Sequence, residues 1–220
     1  MLDFDMRFQP GQTVVFEGDS NTSRRGGPSQ STWPYLRLMR WEGSWADRMA
    51  ELLFCWRPDL ALRFANNAVG GSSCEAISKR IDTVLLLKAD WVLITTGGND
   101  VRLAIDPEEF MDVWRSYCTR LHQACGARVV FLTVWGEAVD SPPKMRSEKI
   151  EPYRERLDAL ADELPGVRHF DLGPALSEAS AALKAQWSDH TVFSGPDGHY
   201  NAVGDLVIAG EVLRRFGIVV

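Results

Sequence analysis

Three stretches of small and polar residues each follow an apolar run: Glu17-Gly18-Asp19-Ser20-Asn21-Thr22, Asn66-Asn67-Ala68-Val69-Gly70-Gly71-Ser72-Ser73 and Gly97-Gly98-Asn99-Asp100. A serine hydroxyl becomes a useful nucleophile when a base takes its proton and donors stabilise the oxyanion that its attack creates. Gly18 permits a tight turn that would place Ser20 at a helix start, with hydroxyl and backbone amide together. Gly71 would let its amide approach an acyl oxygen without an intervening side chain, and Asn99 offers a side-chain amide. Ser20, Gly71 and Asn99 are therefore the expected oxyanion donors. Singly, each stretch is ordinary: Gly-Asp-Ser suits a turn, Gly70-Gly71 a left-handed turn, and Asn99-Asp100 a turn or helix cap.

The base must come from four histidines. His122 falls within a helical stretch and His169 within a strand stretch, where solvated or structural roles are expected. His190 and His199 both precede the last helical segment. His199, in Pro196-Asp197-Gly198-His199-Tyr200-Asn201, is preferred over His190, with Asp197 orienting its imidazole and stabilising the imidazolium. The plainer alternative is a turn aspartate followed by a histidine at a helix start.

Positioning these residues requires a scaffold whose strand ends converge. Short β-branched, apolar runs at residues 13–16, 60–64, 91–96, 128–134 and 167–170 alternate with longer segments of helical period at 75–87, 107–124 and 147–164. In the second helical segment Phe110, Val113, Tyr117, Leu121 and Ala124 form one stripe, and in the third Ile150, Tyr153, Leu157, Leu160 and Leu164 do. A last helix is expected over 201–216. Such alternation predicts a doubly wound, flavodoxin-like sheet of about five parallel strands in three α/β/α layers. Ligands of such sheets bind at the carboxyl ends of the strands, where the three stretches fall. Residues 26–39 read as a loop rich in Gly, Pro and Ser. Trp33, Tyr35, Trp41 and Trp135 are candidates for a sugar- or aryl-binding platform, packing being the simpler role.

A chain of 220 residues with 45% hydrophobic and 25% charged residues suits one soluble domain, 1–220. The net charge of −6 argues against nucleic-acid or anionic-membrane partners. No apolar run is long enough to span a membrane, and Met1-Leu2-Asp3-Phe4-Asp5 lacks the character of a signal peptide, so a cytoplasmic protein is expected. Cys55, Cys74, Cys118 and Cys125 match no zinc spacing and are expected as buried free thiols. There is no Gly-x-Ser-x-Gly elbow and no phosphate-binding motif.

The ordered set resembles the four blocks of the SGNH (GDSL-type) hydrolases, which here read Gly18-Asp19-Ser20, Val69-Gly70-Gly71-Ser72, Gly97-Gly98-Asn99-Asp100 and Asp197-Gly198-His199-Tyr200-Asn201-Ala202-Val203-Gly204. The resemblance implies a serine esterase without metal or cofactor, acting through Ser20, His199 and Asp197. It departs from the family in two places. Asp197 lies two residues before His199 where members commonly have three, which leaves Asp189 or a backbone carbonyl as alternatives. Asn21 stands where an aliphatic residue is common. Residues 14–18 are similar to bacterial carbohydrate-esterase members. This implies a short acyl group, acetyl first, on a carbohydrate or other small alcohol. An acyltransferase, arylesterase, lysophospholipase or thioesterase would use the same triad, and a non-catalytic binding domain would keep the fold. The oligomeric state is not legible.

Overall fold

The fold comes from a computed structural model that describes residues 5–23, 43–134, 147–188, 191–192 and 199–218. Five parallel strands form one sheet: β1 (Thr13–Glu17), β2 (Arg63–Asn66), β3 (Trp91–Thr95), β4 (Arg128–Thr133) and β5 (Val167–Asp171), in the order β2-β1-β3-β4-β5. Successive side chains on a strand face opposite ways, and here both faces are covered. Val14 and Phe16 of β1 and Trp91 and Leu93 of β3 join one core. Val15, Val92 and Ile94 join the other. Burial on both faces is why the central strands β1, β3 and β4 read as nearly unbroken apolar runs.

Helices α1 (Trp45–Trp56), α7 (Gly173–Gln186) and α8 (Ala202–Arg215) cover the first face. The second face carries α2 (Cys74–Ser78), α3 (Ile81–Leu86), α5 (Pro107–Cys125) and α6 (Ser147–Glu163). The short α4 (Gly98–Leu103) follows β3 directly. The three-layer, doubly wound expectation holds. Among the described residues no helix is long and apolar enough to cross a membrane.

Three expectations need correction. The segment 75–87 is not one helix: it divides into α2 and α3 at Lys79-Arg80, where the Arg80 guanidinium turns in to meet Glu17. The second strand is Arg63–Asn66 rather than 60–64, because Pro58–Leu60 form a 3₁₀ turn closed by Ala61 in the left-handed region. Leu60 and Leu62 are still buried, so their hydrophobicity reports packing rather than strand pairing. Cys55 is exposed, although Cys74 and Cys118 are buried; all four thiols are free. Helix α1 has no counterpart among the expected elements, although Ser44 and Asp47 form a capping box at its start and Trp45, Met49 and Leu53 recur on its buried side. The loop 26–39 and the aromatic residues Trp33, Tyr35, Trp41 and Trp135 lie outside the described residues.

Candidate active site

The chain leaves β1 through Gly18, whose φ of +142° is rarely adopted by L side chains; a Cβ there would lie 2.2 Å from Thr95 Oγ1. The next residues close a compact turn. The Asp19 carbonyl accepts from the amides of Thr22 and Ser23 at 3.1 and 2.9 Å, and Asp19 Oδ1 accepts from the Asn21 amide at 2.9 Å. Thr22 anchors this turn to three elements. Its hydroxyl is hydrogen-bonded to Thr95 at the end of β3 and accepts from Trp45 Nε1 at 3.0 Å. Its carbonyl accepts from Ser44 Oγ at 2.8 Å and from Asn66 Nδ2 at 2.7 Å. Ser20 is thus carried by a turn with Asp19, Asn21 and Thr22 all buried, while Ser20 itself is half-buried.

His199 reaches this serine from the opposite end of the chain. Its Nε2 lies 2.7 Å from Ser20 Oγ, across 179 positions of sequence. The neighbouring residues fix the approach. The Tyr200 amide donates to Asn21 Oδ1 at 3.4 Å, and the Tyr200 hydroxyl donates to the carbonyl of Val134 just beyond β4. Asn201 donates through Nδ2 to the Thr191 carbonyl at 2.6 Å, while its Oδ1 accepts from the amides of Val203 and Gly204 and so caps α8.

The glycine block folds over the serine. The Val69 amide donates to the Gly18 carbonyl at 3.2 Å, and the Ser72 amide to the Val69 carbonyl at 3.2 Å, closing a turn around Gly70-Gly71. Gly71 has φ of +79°, so glycine suits its backbone. Gly70 approaches Ser20 directly: a Cβ at Gly70 would stand 3.6 Å from Ser20 Cβ. Asn99, in the first turn of α4, donates through Nδ2 to Asp19 Oδ2 and to the Ser72 carbonyl, both at 3.1 Å, and its Oδ1 accepts from Arg102 Nε at 3.2 Å. The structure therefore brings together Ser20, His199, the glycine block and Asn99. Asp197, the fallback Asp189 and His190 lie outside the described residues.

Comparison with known proteins shows the family and the fold. The sequence profile of the GDSL-like lipase/acylhydrolase family matches residues 16–205, which contain all four blocks. The chain belongs to this family. A search of curated proteins found no match. Among solved structures, the acetylxylan esterase Axe2 of Geobacillus stearothermophilus is similar at 21% identity and a TM-score of 0.74, covering 96% of each chain. LAE5, an alpha/beta hydrolase enzyme from a Lake Arreo metagenome, gives 22% identity and a TM-score of 0.73 over 98% of this chain and 99% of that one. A GDSL-like lipase from Parabacteroides merdae gives 16% identity and a TM-score of 0.76 over 98% and 100%. These likenesses concern the fold; membership of the family makes the protein a hydrolase of ester bonds.

In this GDSL-like hydrolase several supporting residues were not singled out from sequence. Asp19 holds Asn99 and the serine turn together. Asp100, 1% exposed, accepts from the amides of Cys74 at 2.8 Å and Gly97 at 3.1 Å, so it ties the starts of α2 and α4. Glu17, the last residue of β1, is fully buried and pairs with Arg80 at 2.9 Å and with Asn67. Burial pushes its carboxyl above the usual range, opposed by Arg80 and Asn67. A charged residue ending an apolar strand was the available signal for Glu17. The other described histidines behave as expected: His122 is exposed in the last turn of α5, and the His169 side chain is a buried structural group on β5. Burial raises the pKa of the Cys74 and Cys118 thiols, which removes the thiolate a cysteine nucleophile would need.

Proposed function

We propose that this protein is a serine esterase in which Ser20 is the nucleophile and His199 the general base. The 2.7 Å contact between His199 Nε2 and Ser20 Oγ carries the reading. His199 removes the hydroxyl proton as Oγ bonds to the ester carbonyl carbon. The electron pair moves onto the carbonyl oxygen, where the amides of Ser20 and Gly71 and the side-chain amide of Asn99 stabilise it. Asn99 Nδ2 has two hydrogens, directed at Asp19 and at the Ser72 carbonyl. Serving the oxyanion means exchanging one of these, and the neutral carbonyl is the weaker competitor. Collapse expels the alcohol with the proton from His199. Water, activated by the same imidazole, then releases the acid and regenerates Ser20.

Asp197 is assigned to orient His199, with Asp189 the alternative. Catalytic mutants of the similar acetylxylan esterase replace a serine and an aspartate. The same esterase supports a short acyl group, acetyl first, on a carbohydrate or small alcohol. The test is turnover of p-nitrophenyl esters of increasing acyl length and of acetylated xylo-oligosaccharides by wild type and Ser20→Ala. Turnover that survives at near wild-type rate in Ser20→Ala overturns the mechanism. Preference for long acyl chains overturns the substrate class alone.

A further inference from the structure

Arg80 stands at the break between α2 and α3, and its guanidinium fork reaches both halves of the site. One terminal nitrogen donates to Glu17 Oε2 at 2.9 Å and to the Gly18 carbonyl at 3.5 Å. The other donates to Ser72 Oγ at 2.9 Å and to the Ala76 carbonyl at 3.1 Å. Glu17 and Gly18 lead into the turn that carries Ser20. Ser72 ends the turn that carries Gly70 and Gly71. The Gly18 carbonyl also accepts from the Val69 amide, so guanidinium and glycine block meet on the same atom.

We propose that Arg80 is a positioning residue that sets the gap between the Ser20 turn and the glycine block, and so the spacing of the oxyanion donors they supply. The proposal rests on the esterase reading of Ser20. Cohesion alone does not call for a buried charge pair here, because an apolar pair of similar volume is commonly as stable. The guanidinium adds direction: a planar fork with several donors holds two backbones at one separation, which a flexible ammonium cannot do. Oxyanion donors act only when placed before the charge develops, and a shift of about 1 Å costs on the order of 100-fold in rate.

The experiment compares wild type, Arg80→Lys, Arg80→Ala and Ser72→Ala on p-nitrophenyl acetate, with thermal unfolding and active-site titration in parallel. Arg80→Lys keeps a charge opposite Glu17 but loses the fork. It is expected to unfold close to wild type while kcat per titrated site falls about 10- to 100-fold, with KM within about twofold. Sub-denaturing guanidinium ion should restore part of the kcat of Arg80→Ala. Ser72→Ala breaks the grip on the glycine block alone, and should lower kcat less, again at nearly constant KM. Should both Arg80 variants fail to fold, Ser72→Ala decides. Wild-type kcat per titrated site in Arg80→Lys, or in Ser72→Ala where that variant decides, overturns the proposal. Ser20→Ala run alongside reports separately on the esterase reading, since its survival would remove the nucleophile and not Arg80.

Discussion

Among the described residues two histidines lie within hydrogen-bond reach of a hydroxyl, and their surroundings differ in the ways that matter for chemistry. His199 Nε2 is 2.7 Å from Ser20 Oγ; His169 Nε2 is 2.8 Å from Thr133 Oγ1, and His169 Nδ1 is 2.8 Å from Asp158 Oδ1. By distance alone the second set is a hydroxyl, imidazole and carboxylate array. Yet Thr133 is 1% exposed and the His169 side chain 2% exposed, both within the regular strands β4 and β5. Ser20 and His199 instead sit half-buried just beyond regular structure, beside a glycine block and an asparagine amide. The lesson is that access and neighbouring amide donors, rather than the array itself, separate a candidate active site from a packed hydrogen-bond chain.

The widest separation is expected in turnover. Ser20→Ala should lower kcat on p-nitrophenyl acetate by about 10⁵-fold, whereas Thr133→Val should leave it within a factor of about two. A large loss of kcat per folded molecule in the threonine variant would erase the contrast. Next in size, Asn99→Ala should lower kcat by about 100- to 1,000-fold, with a smaller effect on KM, because in the proposed mechanism its donor acts when charge develops on the carbonyl oxygen. An equal rise in KM at constant kcat would make Asn99 a substrate-binding group instead.

In stability the expectation reverses. Thr133→Val leaves a buried imidazole nitrogen without its partner and should cost about 1–3 kcal/mol by urea unfolding. Ser20→Ala should be close to neutral. The smallest effect concerns pH. Burial holds His169 below its ordinary pKa of 6.5, opposed by Asp158. The unfolded chain therefore takes up a proton at this position more readily than the folded one. The associated stability is fully present above about pH 6.5 and is lost as pH falls below it towards the folded pKa. The difference in unfolding temperature between wild type and His169→Gln should accordingly narrow between pH 7.5 and pH 5.5. A difference that stays constant over this range would show that His169 does not resist protonation.

The central strands β1, β3 and β4 were readable because parallel strands covered on both faces are largely apolar. The edge strand β2 was displaced in the reading because Leu60 and Leu62 are buried without entering the ladder. Where 75–87 divides into two helices, Arg80 meets Glu17, 63 positions away, a contact that no local periodicity encodes. For the same reason Asp19, Asp100 and Arg80 were not singled out: their roles lie in partners remote in sequence, Asn99, Cys74 and Glu17 respectively.

Residue types and order determined that this chain holds a serine in a glycine turn, a glycine block, an asparagine after a third strand and a histidine before the last helix. They also determined the fold class, since hydrophobic periodicity is a local property of the chain. Only tertiary structure decided that His199 meets Ser20, that Gly70 makes the close approach to that serine, and that His169 is shut inside the sheet with its own hydroxyl partner. Hydrogen bonds form over about 3 Å, whatever the separation along the chain. That separation is closed by packing of the sheet and helices, which the spacing of motif residues does not specify.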